Sequence, residues 1–383
     1  MARKILKLTL VIVLLISMVI WPTASFSQYK LEKVEEFKIN SLLPVVIVDY
    51  HPQSKLYLGY ISNSEGTRIT LINEQGDFII NEVLVGEGPK QSTAAFNNMA
   101  FTEEGDIWLQ TPYQLFLYDQ NLNIKKKIRY QSERKIHIYG RMEVFPYFYL
   151  NKSQSSLSFI TNPSGANFYM PDPDVVNSTY LIEVNQVEGD KLVKIASITD
   201  RAMYKIFDKS MLADLYSINY SLDRKKLKLY LTTNFDNEIT VYDLVTKKLE
   251  SRIKINHGEF KMLKKSLITD SDFEGYGRIS LGAKNNKLFL LDGGMIALDY
   301  IKEIPYGTYE KKIADDPTYY HFQDPAYHRL ILFDGTKQVS GDIPLPTNGK
   351  VTMALPENRL LVQLINPDVE EDYIRYGIYK VVK

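Results

Sequence analysis

A two-strand unit recurs along this chain and limits what it can fold into. An apolar, aromatic-rich run leads through a short polar turn to a second run ending in Tyr-Asp or a close substitute. Gly105-Asp106-Ile107-Trp108-Leu109 leads to Leu117-Tyr118-Asp119, and Leu227-Lys228-Leu229-Tyr230-Leu231 leads to Val241-Tyr242-Asp243. One such unit cannot bury its apolar face alone, so copies must stack around an axis or along a line. Strand signals dominate elsewhere: short runs of Val, Ile, Tyr, Phe and Thr bounded by Gly, Asn, Asp, Pro and Ser. Helical periodicity is weak. Residues 201–215 and 261–268 carry its best traces and read as short connectors.

The second strands of the copies fall at Tyr57, Trp108, Leu157 to Ile160, Tyr230, Lys287 to Leu291 and Arg359 to Gln363. This spacing averages roughly 60 residues, whereas a four-stranded unit with tight turns needs only about 40–50. The surplus sits in loops, chiefly residues 162–178 and 304–325, which are rich in Pro, Gly, Asn and Asp. A further run at residues 329–334 leaves room for a seventh unit. An open row of small sheets would expose its edges, and radial closure leaves only short, protected ones. The last unit offers three strands. The chain start offers one unpaired run, residues 31–39, alternating at period two. The expectation is therefore an all-β chain, a six-bladed β-propeller (seven blades being the alternative), closed by the N-terminal strand joining the last blade.

The first 27 residues read as an export signal. Arg3, Lys4 and Lys7 precede an apolar run over 8–21, followed by the small-residue stretch Thr23-Ala24-Ser25-Phe26-Ser27. Residues 28–383 then form a single propeller domain. The chain contains no cysteine, which excludes disulfides, thiol nucleophiles and lipid attachment at a leader cysteine. It carries 46 basic and 46 acidic side chains. Loss of Arg3, Lys4 and Lys7 with the leader keeps it near neutral, so no footprint for nucleic acid exists. The expected location is periplasmic or extracellular in a bacterium. The mature chain is expected to be a monomer with no membrane span.

The segment Val85-Gly86-Glu87-Gly88-Pro89, followed by Phe96-Asn97-Asn98-Met99-Ala100-Phe101 and the Gly105-to-Asp119 hairpin, resembles the secreted bacterial TolB-like six-bladed β-propellers. Ile239-Thr240-Val241-Tyr242-Asp243-Leu244 with Thr246-Lys247-Lys248 is similar to that family's second signature. The resemblance implies a fold and a compartment; the group has no assigned activity, and no catalytic residue follows from it. Many members carry a leader cysteine for surface tethering, which this chain lacks.

Gly86 to Pro89 lacks the Lys and Ser/Thr of a phosphate-binding loop, so a tight connection fits it better, with Glu87 free to face a groove. The five histidines match no metal-ligand spacing. An axial cation, as some propellers hold, would fall to Asp49, Asn98 and Asn219 through oxygen ligands, with Arg278 opposing it. Asp172-Pro173-Asp174 and Asp270-Ser271-Asp272 are fragments of calcium loops without the full oxygen pattern. No nucleophile elbow is present. Among 27 tyrosines, one group gathers at Tyr306, Tyr309, Tyr319, Tyr320 and Tyr327, and another at Tyr139, Tyr147 and Tyr149. Exposed rings of this kind bind sugar faces or protein partners. The sequence therefore points to a non-catalytic binding or scaffold module for a protein or glycan, without a cofactor. The alternative is a propeller lyase or hydrolase acting on a carbohydrate or lactone with an axial divalent cation.

Overall fold

The computed structural model describes residues 29–64, 66–130, 142–151, 156–161, 179–206, 217–261, 281–366 and 371–383. The leader, the 162–178 excursion with its Asp172-Pro173-Asp174 fragment, and the Asp270-Ser271-Asp272 fragment lie outside these residues, as do His137, Tyr139 and Arg278.

Six small antiparallel sheets form the blades of a β-propeller. Each is given from its innermost strand outward. Blade 1 is Val45–His51, Leu56–Asn63, Gly66–Asn73 and Phe78–Val83. Blade 2 is Asn98–Phe101, Ile107–Gln110, Gln114–Tyr118 and Ile124–Arg129. Glu143–Val144 adds to its inner edge in parallel. Blade 3 is Tyr147–Tyr149, Leu157–Thr161, Tyr180–Gln186 and Lys191–Ser197. Blade 4 is Ile218–Asp223, Lys228–Thr233, Glu238–Asp243 and Lys248–Lys254. Blade 5 is Lys284–Leu290, Ile296–Ile301, His328–Asp334 and the short Lys337–Gln338, with Ile343–Pro344 also on its third strand. Blade 6 is Gly349–Leu355, Arg359–Leu364, Ile374–Val382 and, outermost, Lys30–Ile39.

The residue pattern explains the layering. Middle strands are covered on both sides by neighbouring blades, so they are continuous apolar runs. Every residue of Ile296–Ile301 and of Ile107–Gln110 is buried. Outer strands face solvent and are charged instead: Ile124–Arg129 exposes Lys125, Lys126 and Lys127, which also guard the edge.

The apolar cores lie between blades. Among the described residues six clusters form, each built from two neighbouring blades, and together they run around the ring. The cluster joining blades 6 and 1 brings Phe37 and Ile39 of the N-terminal strand onto Tyr57 and Tyr376. Phe37 stacks between those two tyrosines at 5.2 and 5.5 Å. The N-terminal strand pairs with Ile374–Val382 along its whole length, so the expected closure is present.

Three expectations need correction. Residues 329–334 are the third strand of blade 5, not a seventh unit. In that blade, the Lys287-to-Leu291 run is the end of the innermost strand, through Leu290, and not the second. The cause is the insertion after Ile301, which separates the second and third strands and hides their pairing. That insertion also contains the helix Tyr306–Asp315, which the sequence reading placed in a loop.

The topology makes the two faces of the ring unlike. All six innermost strands run the same way, so first-to-second strand turns emerge on one face, here the trailing face. Second-to-third connections and links between blades emerge on the other, the leading face. Trailing turns are short and polar. Asp223 caps one by accepting from the N–H groups of Lys225 and Lys226. The aspartates of the recurring unit do the same at the next corner. Asp119 accepts from Asn121 and Asn123 N–H at 2.9 and 2.8 Å, and Asp243 from Thr246 N–H at 2.7 Å. They are turn caps, not reactive groups. The long connections are on the leading face.

Candidate functional site

Exposed apolar side chains follow the same asymmetry. Leu42, Tyr113, Ile206, Tyr306, Tyr320 and Ile365 all sit in leading-face connections, and Leu42 is 84% exposed. Val34 and Ile79 lie on outer strands, and Val245 is in a turn on the opposite side. A face that collects apolar side chains and long connections is the candidate surface for contact with other molecules.

On that face a cleft of about 470 Å³ opens between blades 4 and 5. It is lined by Glu259, Phe260 and Lys261 from the inter-blade link, and by Lys302, Glu303, Pro305 and Tyr327 from the blade 5 insertion. The insertion is closed at its neck, where Lys302 N–H donates to the Tyr327 carbonyl at 2.9 Å.

The Phe260 side of the cleft is fixed from below. The Phe260 ring stacks on His257 at 4.0 Å, and His257 meets Tyr300 edge-on at 4.9 Å. His257 Nε2 lies 2.8 Å from the Asn285 side-chain oxygen, so that nitrogen carries the proton. Burial lowers the imidazole pKa to about 4 and keeps it neutral. Glu259 N–H donates to the Tyr300 hydroxyl at 3.1 Å, and that hydroxyl donates to Asp342. These bonds preset the backbone that presents Phe260.

The charges of the cleft are matched. Lys302 Nζ is 2.9 Å from Glu259, and Lys261 Nζ is 3.2 Å from Glu303. Lys302 holds the Glu259 carboxyl below its usual range. Glu259 is therefore not poised to give or take a proton near neutrality.

The insertion brings two of the expected tyrosines together. Tyr309 faces Tyr319 at 6.2 Å and His321 at 6.5 Å. The Tyr319 hydroxyl donates to Asp324 at 2.8 Å, and Lys312 pairs with the same oxygen at 3.1 Å. Tyr320 packs edge-on against Phe322 at 5.1 Å and is 52% exposed. Tyr306, at the start of the helix, is 48% exposed. Beneath them Lys284 Nζ sits 3.2 Å above the Phe322 ring, and burial lowers its pKa to about 8. His328 rests between Asp299 at 2.9 Å and the Phe322 carbonyl at 3.0 Å, which anchors the insertion to the blade.

Other expected site residues lie apart. Glu87 is exposed on the leading face between blades 1 and 2, half a ring from the cleft. Its loop is a tight connection, as expected. Gly88 N–H donates to the Gln91 side chain at 2.8 Å, and a Cβ on Gly86 would fall 2.3 Å from that side chain. The residues expected at an axial cation are not brought together. Asp49 accepts from Phe101 N–H at 2.8 Å and so lies level with the end of blade 2's inner strand. Asn98 begins that strand, roughly 10 Å away along it. Asn98 donates to Gln110 and Asn219 to the Asn285 carbonyl. Asp49 has Arg224 for a neighbour, and burial raises its pKa against that charge. Among the described residues no group of three or more His, Asp or Glu side chains is placed to hold a metal. Of the second tyrosine group, Tyr147 is buried beneath Arg224, whose guanidinium is 4.1 Å from the ring.

Sequence reading missed Phe260, Lys302 and the His257 support. The lining comes from three separate stretches, and Asn256-His257-Gly258-Glu259-Phe260 carries no periodic signal.

No protein-family model matches the chain, and no curated protein matches it. Solved structures do. A member of the DUF4221 family from Bacteroides vulgatus ATCC 8482 superimposes with a TM-score of 0.67 at 11% identity, over 93% of this chain and 99% of that one. A protein from Bacteroides fragilis NCTC 9343, described by inference as exported, superimposes with a TM-score of 0.52 at 9% identity, over 94% of this chain and 97% of that one. Such identities establish the fold alone. This chain is a six-bladed β-propeller of the same architecture.

Proposed function

We propose that this chain is an exported bacterial binding module of the TolB-like kind, acting without catalysis in the periplasm or outside the cell. Its ligand is engaged on the leading face, at the cleft between blades 4 and 5 and the insertion beside it. The carrying observation is that cleft: an aromatic wall preset by half-buried hydrogen bonds, with every lining carboxylate already paired to a lysine. Such a site offers contact area and hydrogen bonds but no free acid or base. The description of a Bacteroides neighbour as exported supports the compartment. So do the leader-like residues 1–27. Among the described residues no helix is long and apolar enough to cross a membrane.

The test is a glycan-array and pull-down screen with the purified protein, run beside an assay for cleavage of any bound ligand. Stoichiometric binding without turnover is expected. Turnover of a bound carbohydrate or lactone contradicts the proposal and favours the enzyme alternative.

A further inference from the structure

We infer that the cleft between blades 4 and 5 takes a neutral saccharide, with a sugar ring laid on Phe260 and its hydroxyl groups bonded to the two flanking ion pairs; this rests on the binding-module reading above. The volume, about 470 Å³, falls in the range of small-molecule sites. The choice among ligand classes follows from charge. Glu259 is matched by Lys302 and Glu303 by Lys261, so the lining carries two acids and two bases in pairs. An anionic sugar finds both lysines already beside carboxylates, so the lining offers it no net attraction. A cationic ligand meets the same balance with the signs reversed. A neutral, hydroxyl-rich ring disturbs neither pair. Its hydroxyls donate to carboxylate lone pairs left open by the lysines and accept from the remaining ammonium protons.

The aromatic side agrees. Phe260 is half-buried and stacked on a neutral imidazole, so one face of the ring is fixed and the group behind it is uncharged. Tyr327 closes the far side, with Lys302 Nζ 5.9 Å from its ring centre. An apolar sugar face on one aromatic wall, with hydroxyls directed at paired charges, uses every group of the cleft. A purely apolar ligand would leave both ion pairs desolvated and unused.

The test is calorimetric titration of the purified protein with neutral oligosaccharides and with uronate oligosaccharides of matched length, at low and high salt. The expected result is binding of a neutral oligosaccharide whose affinity barely changes with salt. Phe260→Ala should weaken it roughly three- to tenfold, and Phe260→Trp should retain it, which separates loss of the platform from loss of the fold. Preferred binding of the uronates with a steep salt dependence overturns the inference, as does equal affinity of the wild type and Phe260→Ala. If no saccharide binds but a protein partner identified by pull-down is released by Phe260→Ala, the saccharide inference fails while the binding-module reading stands. Cleavage of the titrant removes both.

Discussion

Arg201 shows how strictly single residues are constrained in this ring. Its side chain is fully buried, with Nε 2.5 Å from an equally buried Asp236 and the rest of the guanidinium on Thr240 and the Glu238 carbonyl. Removing one partner strands the other's charge in the interior, so Arg201→Ala should cost about 3–5 kcal/mol, read as a lowered urea midpoint. The double variant Arg201→Met with Asp236→Leu should cost less than the single one, because no orphan charge remains. Equal or additive losses would show that the pair is not coupled. The histidines set the acid limb of stability. Burial places the pKa values of His257 and His321 at about 4, against an ordinary 6.5. Between those values the unfolded chain binds more protons than the folded one, so stability rises with pH through that window. His328 works the other way. Asp299 raises its pKa above 6.5 despite burial, so its contribution is whole below pH 6.5 and fades as pH climbs through the folded value. Urea midpoints should therefore fall between pH 6.5 and pH 4.5, and His321→Phe should flatten that fall. An unchanged slope in the variant would reject the assignment.

At the scale of elements, closure rests on the N-terminal strand. Lys30–Ile39 supplies the outermost strand of blade 6 and, through Phe37 and Ile39, part of the core against blade 1. Its deletion should abolish a single cooperative melt, and an unchanged melting temperature would contradict closure. Gly76 secures the same seam. Its φ is +92°, and a Cβ there would lie 1.9 Å from the Lys38 carbonyl. Gly76→Ala should therefore cost about 2–3 kcal/mol in a thermal or urea melt, since both strain and a backbone clash oppose it. The period-two run at residues 31–39 made this strand legible in advance, and continuous apolar runs did the same for most second strands. Blade 5 was misread because its second and third strands are separated by the insertion from Lys302 to Tyr327. The helix Tyr306–Asp315 escaped for a related reason. It has no fully buried residue, and Gly307 weakens its first turn, so no apolar stripe marks it. The insertion itself was legible as a break in the repeat. The cleft was not, because Phe260, Lys302 and Tyr327 meet only through the pairing of blades.

At the scale of the whole molecule, the ring assigns different work to its two faces. The trailing face is built of capped polar turns, and neighbouring turns tie blades together there. Asp292 in blade 5 accepts from Glu357 N–H in blade 6, and Lys226 in blade 4 donates to the Gly293 carbonyl at 3.4 Å. The leading face holds the inter-blade links, the insertion, the exposed aromatic rings and the cleft. The breaks in the repeat thus gather on one face, and the capped turns that keep it on the other. The central claim is tested most directly by comparing ligand binding across faces. Affinity for a neutral oligosaccharide should be measured for the wild type, for leading-face variants Phe260→Ala and Tyr320→Ala, and for trailing-face variants Lys226→Ser and Glu357→Gln. The account predicts loss of affinity in Phe260→Ala, with the trailing-face variants within twofold of wild type. Loss confined to the trailing-face variants, with Phe260→Ala unaffected, would contradict it.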